Sequence, residues 1–431
     1  MHALAQRIDA LLTRRSVAVG AGIIVVVGLV SAVLNIVLGH YPQTLVGTTL
    51  APDYLAHWTG GRLLLDGRTD VLYDSGIQHE LQLPVSGGAP EVSWFVGPPI
   101  AALLFLPFAA LPYLASVIAW SLVSVSLLVA SMLLLRPMLP RLGGGLYAVV
   151  VLAVAATQPV LEAVGVGQDS ALSLFLWVSG LRLLRSGRDG WAGAVLALGM
   201  VKPQLFVLVP LVLLAQRRWR GLAGWSASAS ALLGLSLVVL GPSVLRDWVT
   251  MLRSDQYQGI IQSGQAWMMQ GVPSLFAAIA PPQLSGAAQI VGYLVSAALV
   301  AALTLVAWRA PRVVLPVWTL ACLTTVVASP HLLGYDLVIA LPALLHLLDR
   351  HDVRAVRLWL VALVALSWSS LPRHRWAGAA SWPWVAVAAS WCTIPLLALW
   401  AVLWAVLWRD CRELPETDVA AAPVEGAAVV G

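Results

Sequence analysis

Two side chains one helical turn apart are the first candidates for acid–base chemistry. Asp53 and His57 occur in the segment PDYLAHWTGGRLLLDG, and a helix that begins at Pro52 places both on one face. A carboxylate there can take a proton from a hydroxyl group, although an acid in a first helical turn can also simply complement the helix dipole. Because His57 lies beside it, we interpret Asp53 as a catalytic base and His57 as a substrate-binding residue.

Lys202 is the one lysine among the 25 Lys and Arg residues of the chain, and it lies in an apolar run, directly before Pro203. A lysine in such a run often only extends its ammonium group to the membrane surface. Ionisable groups at membrane depth are costly, however, and are usually functional. We therefore interpret Lys202 as a partner for a phosphate or carboxylate group and assign it to the donor phosphate. Arg62 is assigned to the same phosphate, and Gln204 to the substrate.

More polar residues occur in two short turns between apolar runs. In SPHLLGYD, His331 can bond a phosphate oxygen, and Tyr335 and Asp336 follow it. In VGVGQDSA, the glycines allow a ligand to approach the backbone closely beside Gln168. We assign His331 to phosphate binding, and Gln168, Tyr335 and Asp336 to substrate binding. For Asp169, a plain interhelical turn is the better interpretation.

The motifs that the sequence lacks narrow the chemistry. It contains no DxD, GxGxxG, P-loop, GxSxG or HExxH motif, which argues against a nucleotide-sugar site built around a metal ion. Its three cysteines, Cys322, Cys392 and Cys411, are too scattered for a disulfide framework or a CxxC metal site. We predict that the protein uses no metal ion and no cofactor.

The composition indicates a membrane protein. Of the chain's 431 residues, 60% are hydrophobic and only 10% are charged, against about 25% charged residues in soluble domains. The mean hydropathy is +0.86. The arginines cluster between the apolar runs, so the net charge of +5 reflects membrane topology and contact with anionic lipids rather than nucleic-acid binding.

The apolar runs predict an all-α polytopic fold, with about 11 to 12 membrane segments by the length that a bilayer requires. We expect a cytoplasmic N-terminus at 1–16, a single membrane domain at 17–408 and a disordered cytoplasmic tail at 409–431. Two external loops are expected at 40–93, with a membrane-surface helix at 53–65, and at 242–286. The predicted membrane segments are 17–38, 117–135, 144–159, 171–184, 191–215, 222–240, 287–308, 314–328, 335–348, 358–371 and 385–408.

The segment 191–215 is predicted to be a hairpin of two half-helices with Lys202 at its tip. Arginine clusters flank both ends of this segment, and a single crossing places one of them outside. With the hairpin, the expected topology has 18 basic residues inside and 7 outside, which follows the positive-inside rule. The same topology requires that the Pro-rich part at 97–112 does not fully span the membrane.

One carboxylate combined with cations fits the transfer of a sugar from a lipid phosphate. Glycosidases need a second carboxyl group to protonate a poor leaving group. A phosphate leaves without that proton if cations stabilise its charge, and one base is then enough to deprotonate the acceptor hydroxyl. The expected partners are a sugar carried on a lipid phosphate, a lipid-linked or glycan acceptor and membrane lipids.

The order of five segments resembles that of the GT-C membrane glycosyltransferases of family 87, also called the DUF2029 group. The resemblance extends over roughly 52–348 and implies a polyprenyl-phosphate sugar donor, typically of mannose, and inverting transfer at the outer face of the cell membrane. It implies that Asp53 is the catalytic acid of the first external loop and that Lys202 and His331 lie near the donor phosphate. The segments are DYLAHWTGGRLLLDG, WFVGPPIAALLFLPFAALPY, VGQDSALSLFL, AGAVLALGMVKPQLFVLVPLVLLAQRRWR and SPHLLGYDLVIALPALL.

Two departures from the family pattern leave the sugar and the acceptor open. The chain has VGPP where the family often has Tyr-Pro-Pro, and GQD where the family often has Gly-Gln-Asn. A transporter or lipid flippase is the main alternative, because broken helices with buried charges also mark transport sites. A transporter of that kind predicts related halves and polar groups at the bilayer midplane. A non-enzymatic scaffold for envelope assembly is a third possibility, and it predicts no cost from losing Asp53 or Lys202.

Overall fold

The computed structural model describes residues 13–88, 93–263, 265, 268–350 and 392–413, and these contain no β-strand. The prediction of an all-α fold is therefore confirmed. Short 3₁₀ turns join several of the helices, at Thr69–Val71, Arg136–Met138, Pro140–Leu142, Leu198–Val201, Pro203–Leu205, Pro282–Leu284 and Gly334–Ala340, and a π-helical turn lies at Tyr257–Ser263. The α-helices are α1 Arg14–Val37, α2 Pro52–Leu65, α3 Ser75–Ser86, α4 Pro99–Ala109, α5 Tyr113–Leu135, α6 Gly145–Ala155, α7 Gln158–Gly165, α8 Ser170–Arg185, α9 Asp189–Ala197, α10 Leu208–Ala215, α11 Trp219–Leu240, α12 Val244–Arg253, α13 Val272–Ile279, α14 Ser285–Arg309, α15 Leu315–Ala328, α16 Leu341–Arg350 and α17 Thr393–Glu413.

Five of the described helices are long and apolar enough to cross a membrane, and a sixth span results if α6 and α7, which bend by 57°, are counted together. The chain is thus a polytopic membrane protein, as its hydropathy predicts. The predicted segment 358–371 and the first part of 385–408 lie outside the described residues, so the total of 11 to 12 segments stays a prediction. The five spans are Arg14–Val37, Tyr113–Met138, Trp219–Leu240, Ser285–Arg309 and Thr393–Asp410.

Several other predicted spans are shorter or interrupted helices. The run at 335–348 begins as the 3₁₀ turn Gly334–Ala340 and becomes α-helical only at Leu341. Helix α4 has 11 residues, a rise of about 16 Å, whereas the hydrocarbon core is about 30 Å thick. This length agrees with the expectation that 97–112 does not fully span the membrane. The interruptions fall where polar groups enter the apolar runs, because such groups need partners that a regular membrane helix does not supply.

The two halves of the segment 189–215 form a hairpin. Asp189, at its start, pairs with Arg218, just beyond its end, at 2.8 Å between Oδ1 and Nη1. The following helix α11 packs on α9 through glycines, because a Cβ at Gly193 would lie 1.9 Å from the carbonyl oxygen of Gly221. Such small-residue contacts allow helix backbones to approach closely. The hairpin predicted from the arginine clusters is therefore confirmed, and both clusters lie at its open end.

Aromatic packing holds the hairpin tip. The ring of Phe206 fills the space beside Gly199, where a Cβ would lie 2.3 Å from the ring. Trp177 of α8 stacks on Phe206 at 5.5 Å between ring centroids and donates a hydrogen bond to the carbonyl oxygen of Leu205 at 3.1 Å. Since these side chains are fully buried, the tip has a fixed position in the core. Lys202 is the residue between the two 3₁₀ turns of this tip.

Helix α2, which the sequence predicts to lie at the membrane surface, is buried on more than one side. Leu55 and Trp58 are buried, whereas Leu65 is exposed. The opposite side is buried as well, because Gly60 packs on the ring of Phe95 and Gly61 on Ala109 of α4. Segments that follow α2 by more than 25 residues in the sequence therefore cover it on more than one side.

The glycine contact between α9 and α11 generates a stability prediction. Gly193→Ala is expected to lower the free energy of unfolding by about 1–3 kcal/mol, because the added methyl group meets backbone that cannot move away. Gly190→Ala is the matched control, since the nearest atom to its Cβ lies 3.7 Å away. It should be neutral or slightly stabilising, as alanine favours a helix over glycine by about 1 kcal/mol. The midpoint of thermal unfolding in detergent compares the two variants, and equal midpoints contradict the packing described.

Candidate active site

The start of helix α2 fixes the position of Asp53. Pro52 occupies the first turn, and the preceding Ala51 adopts a left-handed conformation with φ of 50°. The hydroxyl of Tyr113 holds this turn by donating to the carbonyl oxygens of Leu50, at 2.6 Å, and Ala51, at 3.0 Å. The first turn of α2 therefore presents Asp53 in one direction, with its carboxylate at the positive end of the helix dipole.

A main-chain hydrogen bond brings this turn to the loop before α8. The amide of Tyr54, which has no partner within its own helix, donates to the carbonyl oxygen of Val166 at 3.0 Å. Gly167 follows with φ of 75°, and a Cβ there would lie 2.5 Å from Cβ of Tyr54. Trp120 donates from Nε1 to the carbonyl oxygen of Gly167 at 3.0 Å. Only glycine fits this close approach, and it turns the chain so that Gln168 faces Asp53.

The amide group of Gln168 joins Asp53 to the other polar residues. Its Nε2 donates to Oδ2 of Asp53 at 2.8 Å and to the hydroxyl of Tyr335 at 3.0 Å. Its Oε1 accepts from Nζ of Lys202 at 3.3 Å. Both hydrogens of the amide nitrogen are thereby used, so the orientation of the side chain is fixed. Sequence reasoning assigned Gln168 to the substrate, whereas the structure makes it a bridge between the carboxylate and the lysine.

Lys202 lies in a buried ion cluster. Its Nζ is 2.7 Å from Oδ1 of Asp336 and 2.9 Å from Oδ1 of Asp169, and all three side chains are at most 10% exposed. Ser170 donates to the same Asp336 oxygen at 2.6 Å, and the ring of Tyr335 lies 5.0 Å from Nζ. One positive charge thus meets two negative ones. Lys202 is thus already paired with carboxylates, one of the two kinds of partner that the sequence suggests for it.

Asp169 is the residue that sequence reasoning missed, since it was assigned to a plain turn. The structure buries it beside Lys202, at 2% exposure. A signal for this role is present in the sequence, because a single lysine in an apolar run needs a carboxylate partner to be stable there. Asp169 follows a glycine-rich turn at the end of such a run. That context is where a partner for a buried lysine can be placed.

Two histidines lie close to the cluster. His57 stacks on Phe105 with 4.2 Å between ring centroids, and burial lowers its pKa to about 4. Burial also lowers the pKa of His331. Within the described part of the chain, neither nitrogen of His57 nor Nδ1 of His331 has a hydrogen-bond partner, although all are buried. Such nitrogens can form a hydrogen bond with a substrate without first losing another partner.

Two of the predicted site residues are not brought to the cluster. Arg62 pairs with Asp66 on its own helix, with Nη2 at 3.1 Å from Oδ1. It follows Asp53 by nine residues, or 2.5 helical turns, and so lies on the opposite face of α2. Gln204 is partly buried, and its side chain makes no hydrogen bond within the described residues. The prediction that Arg62 binds the donor phosphate is therefore not supported by its position.

Comparison with known proteins gives one family. The sequence model of glycosyltransferase family 87 matches residues 95–330, more than half of the chain. The match includes Gln168, Asp169 and Lys202, while Asp53 and Asp336 lie outside it. A search of curated proteins finds no match, and neither does a search of solved structures.

The ion cluster generates a prediction about stability. Lys202→Met leaves Asp169 and Asp336 buried without a counter-charge, and we expect a loss of about 3–5 kcal/mol in the free energy of unfolding. Changing both aspartates to asparagine in the same variant should recover much of the loss, because no unpaired buried charge remains. Arg62→Met, which breaks a half-exposed pair, serves as control with an expected effect of about 0–1 kcal/mol.

Thermal unfolding in detergent compares these three purified variants with the wild type. Equal midpoints for Lys202→Met and Arg62→Met would show that the cluster does not stabilise the fold.

Proposed function

The chain belongs to glycosyltransferase family 87, and from this premise we propose that it transfers a hexose from a polyprenyl-phosphate donor to a hydroxyl group of a lipid or glycan acceptor. In this proposal the hexose is mannose, the transfer inverts the anomeric centre, and Asp53 is the general base. A transporter or flippase is not retained, because the family is one of sugar transferases. The proposal adds the donor, the stereochemistry and the base to that family assignment.

The observation that carries this proposal is the difference between the three aspartates of the network. Asp169 and Asp336 are both paired with Lys202, so neither is available to a substrate. Asp53 accepts a hydrogen bond from the neutral amide of Gln168 and is partly exposed. Burial raises the pKa of the Asp53 carboxyl above its usual value of 3.8, which makes its ionised form a stronger base. Asp53 is thus the carboxylate suited to receive a proton.

The proposed reaction is a single displacement. A carboxylate oxygen of Asp53 takes the proton of the acceptor hydroxyl as that oxygen forms a bond to the anomeric carbon. The bond between the anomeric carbon and the phosphate oxygen breaks, and its electrons leave with the polyprenyl phosphate. Because attack and departure take place on opposite sides of the anomeric carbon, the configuration inverts, as in inverting glycosidases.

Charge is conserved at the site during this step. The donor is a phosphate diester with one negative charge, and the departing polyprenyl phosphate gains a second. Asp53 loses its negative charge when it takes the proton. The total charge near Lys202 therefore stays constant. The charges of Lys202, Asp169 and Asp336 do not need to change during the step. Groups already positioned to stabilise the negative charge that develops on the phosphate lower the activation barrier, and the cluster does not have to move.

His331 is the better candidate for direct contact with the donor phosphate. Its buried Nδ1 has no hydrogen-bond partner in the described part of the chain, and a neutral imidazole can donate to a phosphate oxygen. Lys202 contributes its positive charge from within the ion cluster. The chain around His331 is held by Ser329, whose hydroxyl donates to the carbonyl oxygen of His331 at 2.9 Å.

The proposed orientation places this site at the outer face of the cell membrane. The arginines at 182–188 and 217–220 flank the open end of the hairpin, and a basic end is expected in the cytoplasm. Lys202 is at the other end of the hairpin, and a lipid-linked donor reaches that end from the bilayer. Both termini of the chain are cytoplasmic in this arrangement.

Replacing the base gives the most direct test. Asp53→Asn should lower transfer from radiolabelled polyprenyl-phosphate mannose by at least about 100-fold, the usual contribution of a general base. Asp66→Asn is the matched control on the opposite face of α2 and should stay close to wild type. Full activity of Asp53→Asn excludes it as the base. If wild type consumes no polyprenyl-phosphate hexose but uses a nucleotide sugar, the proposed donor is wrong.

The pH profile tests the link between Asp53 and Gln168. The base acts when it is deprotonated, so activity should fall as the pH drops through the raised pKa of Asp53. Gln168 donates to the carboxylate and lowers that pKa, although less than burial raises it. In Gln168→Leu the fall in activity should therefore move to higher pH, whereas Gln204→Leu should leave it unchanged. An unshifted profile in Gln168→Leu contradicts the assignment.

A further inference from the structure

A separate cleft lies between the two external segments of the chain, away from the ion cluster. Its volume is about 390 Å³, within the usual range of small-molecule sites. One wall is formed by the residues at 69–78, another by 94–96 and the third by α12 together with the residues at 254–257. None of these residues belongs to the site proposed for sugar transfer.

Hydrogen bonds between segments that are distant in sequence hold the walls of this cleft. Ser75 donates to Oε1 of Gln256 at 2.9 Å. Trp248 of α12 donates from Nε1 to the carbonyl oxygen of Val96 at 3.0 Å, and Tyr73 donates to that of Gly97 at 2.9 Å. The cleft is thus preformed, and a ligand in it does not need to order its own site.

The lining of the cleft combines aromatic rings with acceptors of hydrogen bonds. Tyr73, Trp94 and Tyr257 supply the rings, and Asp70 and Asp247 supply carboxylates. Neither carboxylate has a hydrogen-bond or ion-pair partner among the described residues. Asp74, the third acid of the lining, differs because it caps α3 by accepting a hydrogen bond from the amide of Ile77.

Among the residues that the structure describes, the lining contains no arginine, lysine or histidine. A phosphate or another anion therefore finds carboxylates and no cation, which costs free energy on binding. A hexose fits better, because its hydroxyl groups can donate to Asp70 and Asp247 in charge-assisted hydrogen bonds. The C–H groups on one face of its ring can lie against the negative face of an aromatic ring.

From these features we propose that the cleft binds a neutral, hexose-containing saccharide, namely the glycan part of the acceptor. This assignment of the ligand to the acceptor rests on the proposed function. Phe95 connects the two sites, since it lines the cleft and its ring also packs against Gly60 of α2. Gly60 is about 10 Å further along the axis of α2 than Asp53. A saccharide in the cleft is thus a part of the acceptor remote from the reacting hydroxyl, where binding free energy can position a substrate.

Titration of the purified full-length chain in lipid nanodiscs tests the cleft directly. The probes are linear tetrasaccharides of mannose and of glucose, with inorganic phosphate and choline as an anion and a cation for comparison. We expect saturable calorimetric binding of at least one tetrasaccharide, weakened at least tenfold by Trp94→Ala and by Asp247→Asn. Asp255→Asn is the matched control, because Asp255 is exposed in the same external segment and does not line the cleft.

The outcomes separate the cleft from the transfer reaction. Binding is measured without a donor, so Asp53→Asn should bind the tetrasaccharides like wild type. In transfer assays, Trp94→Ala should raise the KM for a glycosylated acceptor about tenfold and change kcat less than twofold. Absent binding, binding unchanged in both cleft variants, or displacement of the saccharide by choline or phosphate overturns the proposal. Tetrasaccharide binding at the cleft with no transfer from polyprenyl-phosphate hexoses overturns the proposed function and the acceptor assignment, and leaves only a saccharide site.

Discussion

The buried ammonium group of Lys202 is the constraint on which the polar centre of this protein depends. A charge removed from water is tolerated only with partners close by, and here Asp169 and Asp336 supply them at 2.9 and 2.7 Å. The three residues come from the hairpin tip, the start of α8 and the 3₁₀ turn before α16. The ion pairs of this one lysine therefore hold three otherwise apolar segments in fixed positions relative to one another. No apolar contact has the directionality to do this.

This pairing also decides which carboxylate can act on a substrate. Two of the three aspartates compensate one lysine, so the cluster has a net negative charge even before Asp53 ionises. The negative charge of Asp336 and the burial of Asp53 both oppose ionisation of Asp53 and raise its pKa, with burial as the larger effect. The hydrogen bond from Gln168 acts in the opposite direction and keeps the carboxylate oriented. The positive charge of Lys202 also lowers the pKa of Asp53, so the ion cluster influences the basicity of this carboxylate.

The sequence predicts the hairpin well because two signals agree. The positive-inside rule and the interruption of the apolar run both indicate that the chain turns back at the same place. Lys202 and Pro203 interrupt an apolar run, and arginines at both ends require that the run returns. The sequence predicts burial and pairing less well, because these depend on neighbours that are distant in the chain. The pattern of α2 gives only the periodicity of its own side chains, whereas its burial comes from Phe95 and α4. Asp53, Gln168, Lys202, Tyr335 and Asp336 were each singled out correctly as polar groups of one region, but which of them pair could not be read from spacing.

Arg62 differs from these residues, because helix geometry alone separates it from Asp53. A separation of nine residues puts Arg62 half a turn out of phase, on the opposite face of α2. The same geometry gives α2 its second role. Gly60 and Gly61 allow Phe95 and α4 to approach its backbone, and a Cβ at either position would lie 2.8 Å from a neighbouring side chain. Because these contacts hold α2 in place, a rigid helix sets the distance between Asp53 at its start and the cleft wall at its middle.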